Sequence, residues 1–126
     1  MDAANSRTQL ALVLQGVLPS NYKMVNSPRE FASLDPSVVG AIQLWRSSIA
    51  PASNMGSFDE EFELWVMTAK LDPDTSEDDL DARLFEVIEA LQPLKWLTWS
   101  TAQRAIHAQE QRQAYKFTIQ IKSQAE

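Results

Sequence analysis

The stretch "FDEEFELWVMTAKLDPDTSEDDLDARLFEVIEAL", Phe58 to Leu91, changes period halfway along its length. In its first part Phe58, Phe62, Leu64 and Val66 alternate with Asp59, Glu61, Glu63, Trp65 and Met67, the period of a strand. "DPDTSEDD" then closes the strand and opens a helix. Thr75 or Ser76 is placed to cap that helix, and Glu77, Asp78, Asp79 and Asp81 follow where the helix dipole favours negative charge. Leu80, Leu84, Val87, Ile88 and Leu91 form the helix's apolar stripe, and Pro93 stops it. The same stretch holds twelve of the chain's seventeen acidic residues, with only Lys70 and Arg83 among them.

Upstream, Ser6 is placed to cap a helix carrying Leu10, Val13, Leu14 and Val17, which Gly16 and Pro19 end. "NYKMV" is a short extended piece, and "NSPREFASLDPS" reads as loop. Val38 to about Ile49 reads as a strand, with Val38, Ile42 and Leu44 on one side and Val39, Ala41 and Trp45 on the other. Apolar residues on both sides imply that both faces are covered. "APASNMGS" is the turn between the two central strands. Downstream, Tyr115, Phe117, Ile119 and Ile121 alternate with Lys116, Thr118, Gln120 and Lys122, making the last of two antiparallel strands joined around "AQEQRQ". The expected class is α+β, one domain over residues 1–126, in the order α-β-β-β-α-β-β. An antiparallel or mixed sheet with a long central hairpin packs against two helices. A strand of about 12 residues spans ~40 Å, whereas the radius of gyration at this length is ~14 Å. The hairpin, roughly residues 38–71, is therefore expected to project, leaving Trp45, Trp65 and Met67 to be covered by another copy.

Composition narrows the chemistry. With 44% hydrophobic residues and four tryptophans the chain folds into a globule. It has no cysteine, which removes disulfides, thiolate metal sites and cysteine nucleophiles. No apolar run reaches the ~20 residues a bilayer span needs, and the N-terminus lacks the basic start of a signal peptide. The net charge of −6 is polarised: residues 59–89 carry twelve acids and two bases, whereas residues 90–126 carry five bases and two acids. Asp72, Asp74, Ser76 and Asp78 have the alternate spacing of a calcium loop, but Glu77 stands where glycine is needed and Arg83 where a bidentate glutamate is needed. His107 is the only histidine and has no partners for a zinc site or a catalytic triad. The three glycines are too far apart to cradle a phosphate. Glu60, Glu61 and Glu63 at an exposed hairpin end are poorly placed as catalytic carboxylates, and Trp96 and Trp99 read as core. Neither an enzyme nor a cofactor or metal site is expected.

One family resemblance follows from the residues "DLDARLFEVIEALQPLKWLTWSTAQRAIHAQEQRQAYKFTIQI". They comprise an acidic "EDDLD" helix start, a Leu-rich helix, a "WLTW" step and two strands, the last beginning "AYKFTIQI". With "LPSNYKMV" and "LDPDTSEDDLD" upstream, the chain from about Leu10 to Lys122 resembles the tail terminator proteins of long-tailed, non-contractile bacteriophages, especially those infecting actinobacteria. The resemblance implies a virion protein without catalytic residues. It implies a ring, typically a hexamer, that caps the capsid-proximal end of the tail tube, stops its polymerisation and meets the head–tail connector. DNA would pass through the lumen without specific binding. On this reading Trp45, Asp59, Glu61, Glu63, Trp65, Met67, Arg104, Arg112 and Lys116 are the expected subunit interface. Acidic and basic patches on neighbouring copies would steer their pairing there. Ile49, Ala50, Pro51, Asn54 and Met55 are the expected loop contacting tube or connector. Two alternatives stay open: a head completion or stopper protein at the same junction, and a small acidic regulatory protein imitating DNA.

Overall fold

The computed structural model of the chain describes residues 3–25, 38–52, 56–68, 73–107 and 112–124. After a single 3-10 turn come helix α1 (Ser6–Val17), strands β1 (Tyr22–Met24), β2 (Gly40–Pro51) and β3 (Ser57–Thr68), helix α2 (Pro73–Leu91), and strands β4 (Leu97–His107) and β5 (Arg112–Gln124). The class and order match those read from the sequence. The five strands form one mixed sheet in the order β1-β2-β3-β5-β4, parallel only between β1 and β2. Both helices lie on one face. There Leu10, Leu14 and Leu18 meet Val87, Ala90 and Leu91 over a floor of Ile42, Leu44, Phe62, Leu64, Val66, Phe117, Ile119 and Ile121.

Several boundaries shift for identifiable reasons. Ser6 is the first residue of α1, not its cap; Asn5 holds the cap position without a side-chain hydrogen bond. The α1 stripe is narrower than expected. Leu10 and Leu14 are fully buried and Leu18 nearly so, but Val17 is 40% exposed and Val13 only half-buried. The helix packs on β1 and β2 at the margin of the sheet and shares that face with α2, so only one i, i+4 row reaches the core. Helix α2 begins at Pro73, placing Thr75 and Ser76 inside its first turn. A proline at the first helical position loses nothing, because its missing N–H would have no partner there. The β2 strand runs two residues later than expected at each end.

The largest correction concerns the hairpin. β5 pairs with β3 over eleven successive positions, Ser57↔Gln124 to Met67↔Ala114, so the hairpin is embedded in the sheet and does not project as a free arm. Its tip turns through Gly56, whose φ of +80° favours glycine. Met67 is fully buried in a small second cluster with Val25, Ala41 and Ala114, not exposed as expected. Burial of both β2 faces holds for Gly40–Leu44 alone; from Arg46 to Pro51 every residue is exposed.

Two polar clusters tie the layers together. At one end of the sheet the Tyr22 hydroxyl donates to Glu86 Oε1 (2.9 Å), and Arg83 Nη1 pairs with the same oxygen at 2.9 Å. Thr68 donates to Asp79, and the Arg83 guanidinium stacks over the Tyr22 ring at 5.7 Å. Burial and the Glu86 hydrogen bond push the Tyr22 hydroxyl well above the ordinary tyrosine pKa. At the other end Arg46 Nε pairs with Glu60 Oε1 at 2.7 Å, Ser6 Oγ donates to that oxygen at 2.9 Å, and Arg46 Nη2 donates to Ser6 Oγ at 2.8 Å. Glu60 is only 2% exposed, which corrects its reading as a surface acid. The signal was in the register: Glu60 shares the phase of Phe58, Phe62, Leu64 and Val66, the side of β3 that faces the helices.

Candidate functional surface: the bare sheet face and its open edges

The helices cover one face of the sheet and leave the other to Trp45 on β2, Asp59, Glu61, Glu63 and Trp65 on β3, and Lys116, Thr118, Gln120 and Lys122 on β5. These are the odd positions of β3 and the even positions of β5, which alternate away from the core. Trp45 and Trp65 sit together at its centre, with ring centroids 5.9 Å apart and both half-buried. Trp65 Nε1 donates to Glu63 Oε1 at 3.2 Å, and Lys116 Nζ lies 5.8 Å from the Trp65 ring. Glu61 accepts from the Ser47 hydroxyl at 3.3 Å, and Asp59 stands directly opposite Lys122 on β5. Trp45, Asp59, Glu61, Glu63, Trp65 and Lys116, read from sequence as one interface, are thus brought onto one surface.

The other expected residues fall elsewhere. Arg104 is on the helix side of β4, where it pairs with Glu77, donates to Gln113 Oε1 at 3.0 Å and stacks 5.5 Å from the Tyr115 ring. The Arg104 hydrogen bond is the main cause holding the Glu77 carboxyl below its ordinary value. Arg112 is the first residue of β5, opposite His107. Ile49, at 44% exposure, and exposed Ala50 and Pro51 form the end of β2, whereas Asn54 and Met55 lie outside the described residues. The acidic run of the sequence is therefore dispersed, with Asp79 and Glu86 going to the Tyr22–Arg83 cluster and Glu77 to Arg104. Glu60 goes to the core, Asp59, Glu61 and Glu63 to the bare face, and Asp78 and Asp81 to the exposed side of α2.

Sequence reading missed Trp96. Expected in the core, it is 44% exposed just before β4, whereas Trp99 packs edge-on against Phe117 at 5.4 Å. The strand parity of "WLTW" carries the signal, since Trp99 shares the core phase with Leu97 and Trp96 precedes the strand. Trp96 walls one end of an open groove of about 490 Å³ that crosses the bare face and also meets Ser48, Ala50, Asp59, Glu61 and Lys122. Among the described residues no cluster of three or more His, Asp or Glu could hold a metal ion. None of the described helices is long and apolar enough to cross a membrane. The calcium-loop spacing rests in part on Asp72, outside the described residues.

A five-stranded mixed sheet with two helices on one face and the other left without a described layer is a fold also found among solved structures. The chain is similar over 100% of its length to the sheath/tube terminator of an extracellular contractile injection system, PVC, seen by cryo-EM in its extended state, with a TM-score of 0.54 at 7% sequence identity. The chain covers 57% of that terminator's length. No protein-family model and no curated protein matches the sequence.

Proposed function

We propose that this protein is a tail terminator. Copies of it form a ring, a hexamer by the family resemblance, on the capsid-proximal end of a phage tail tube. The ring ends tube polymerisation and presents a surface to the head–tail connector. The observation that carries this reading is the fold, which follows that of a tube terminator across the whole chain despite 7% identity. That neighbour supports tail termination in general. The non-contractile, actinophage-like assignment rests on the sequence resemblance.

The bare face is the second support. A sheet with one face covered by helices and a half-buried tryptophan pair on the other presents two different surfaces on opposite sides of one subunit. Charge on the bare face is mixed, with Lys116 and Lys122 on β5 beside Asp59, Glu61 and Glu63 on β3. Such mixed charge fixes orientation more than it adds affinity. The role is structural and needs no catalytic group or cofactor. Native mass spectrometry of the purified protein tests the ring: a closed oligomer of one defined size, six copies by the resemblance, is expected. A monomer at all concentrations contradicts it.

A further inference from the structure

A sheet has two edges, and here they differ in how much of them is covered. β1 shields β2 over only three positions, Tyr22↔Gly40 to Met24↔Ile42, and the Val25 N–H extends that cover to the Ile42 carbonyl (2.8 Å). Arg7 Nε then occupies the Leu44 carbonyl at 2.8 Å. From Ser47 to Pro51 the outer side of β2 meets no other described strand, and each of these residues is exposed. At the opposite edge β4 runs eleven residues with a described strand on one side only.

Register parity shows which backbone groups point outward. The Ala52 N–H bonds the Ser57 carbonyl, so odd β3 residues face β2 and even ones face β5. Carried through the pairing of β3 with β5 and of β5 with β4, the outward row of β4 is Leu97, Trp99, Ala102, Arg104 and Ile106. On β2 the outward residues past the irregularity between Arg46 and Ser48 are Ile49 and Pro51, and Pro51 has no N–H to offer. β4 has few of the usual protections of an edge strand, its register shifting once, between Trp99 and Thr101. It contains no proline, and its single charge between Leu97 and Ile106 is Arg104, already engaged with Glu77. A long edge strand whose one charge is already paired calls for a partner strand.

We infer that, in the ring proposed above on which this step rests, the open edge of β4 pairs with the Ser47–Pro51 edge of β2 in the next copy, so that the sheet continues from subunit to subunit. Three features favour this occupant. The open edges lie on opposite sides of the same sheet, as a head-to-tail contact requires. β2 and β4 run in opposite directions, since three antiparallel pairings separate them. Copies related by rotation about an axis along the strands therefore meet with antiparallel edges. The strips also overlap in height, because Ile49 is level with Leu97 through Glu60 and Ile121. The tilt that strands adopt on closing a sheet would slide one strip along the other. Pro51 ends the joint on the β2 side.

Because the chain contains no cysteine, engineered pairs test this directly. Ser48 lies on the bare-face side of β2, and Thr98, Thr101 and Gln103 on the same side of β4. The three double variants Ser48→Cys/Thr98→Cys, Ser48→Cys/Thr101→Cys and Ser48→Cys/Gln103→Cys are oxidised after native mass spectrometry has shown that each still forms rings. The expected result is a ladder of linked subunits, up to the full ring, from at least one double variant, collapsing to monomer on reduction. Intact rings with no link from any of the three overturn the edge pairing while leaving the ring standing. A disulfide dimer from Thr101→Cys alone replaces it with a two-fold β4–β4 contact. Loss of rings in the unmodified protein overturns the ring reading itself.

Discussion

Replacing Arg46 with alanine strips the one cation that the described residues place against Glu60, a carboxylate with no exposed side-chain surface. Among the described residues Glu60 would keep only the Ser6 hydroxyl as donor, because its Oε2 takes no hydrogen bond from any of them. Breaking a fully buried pair costs about 3–5 kcal/mol, since the remaining charge stays desolvated. Two features reduce that here: the Arg46 side chain is 33% exposed, so water screens part of the attraction, and Ser6 stays in place. Loss of the guanidinium over the Phe62 ring at 6.0 Å adds a smaller term. The expected loss is about 2–3 kcal/mol, or roughly 10 °C in Tm for a chain of this length. Urea unfolding followed by tryptophan fluorescence measures it, at a protein concentration held fixed across variants so that assembly does not shift the midpoint. The double variant Arg46→Met/Glu60→Leu removes both charges and should lie within about 1 kcal/mol of the parent. An Arg46→Ala loss below ~0.5 kcal/mol, or a double variant as unstable as the single, would refute the reasoning.

Gly40→Ala should cost about 1–3 kcal/mol, read by the same unfolding assay, because a Cβ there meets Arg83 Cδ and Tyr22 Cε2 at 3.0 Å and the Met67 carbonyl at 3.2 Å. Tyr22 should resist ionisation in an alkaline absorbance titration of the folded protein. With its pKa raised on folding, the native state holds the proton more tightly, so the stability it contributes is present below about pH 10 and lost as pH rises beyond it. Tyr22→Phe should flatten that alkaline slope. The double variant Glu61→Lys/Glu63→Lys should keep the fold by circular dichroism yet form fewer rings by native mass spectrometry, since both carboxylates stand on the bare face.

Period was enough to place α1, α2, β3 and β5, because each of these amphipathic segments has one face to bury. Neighbour choice was not legible in the same way. Nothing in Ser57–Thr68 says that β5, more than forty residues later, will run beside it from Ser57 to Met67, and that pairing turned an expected arm into sheet interior. Met67 was misplaced for this reason: an apolar residue on the polar phase of a strand is exposed or covered depending on what packs there, and here Val25, Ala41 and Ala114 do. Glu60 failed differently. Its phase was readable, but a carboxylate in a core row is assigned to the surface unless its partners are known, and Arg46 and Ser6 lie 14 and 54 residues away. The candidate surface was legible to the extent that alternation brings Glu61, Glu63, Trp65 and Lys116 onto one face. The open edges were hidden, because they follow from strand order alone.

The most direct test is to add the protein to polymerising tail tube protein encoded in the same genome and measure tube lengths by electron microscopy. Tubes should stop growing as the protein is added, each capped at one end by a single ring. Tubes that lengthen as before, with no ring at either end, would contradict the account.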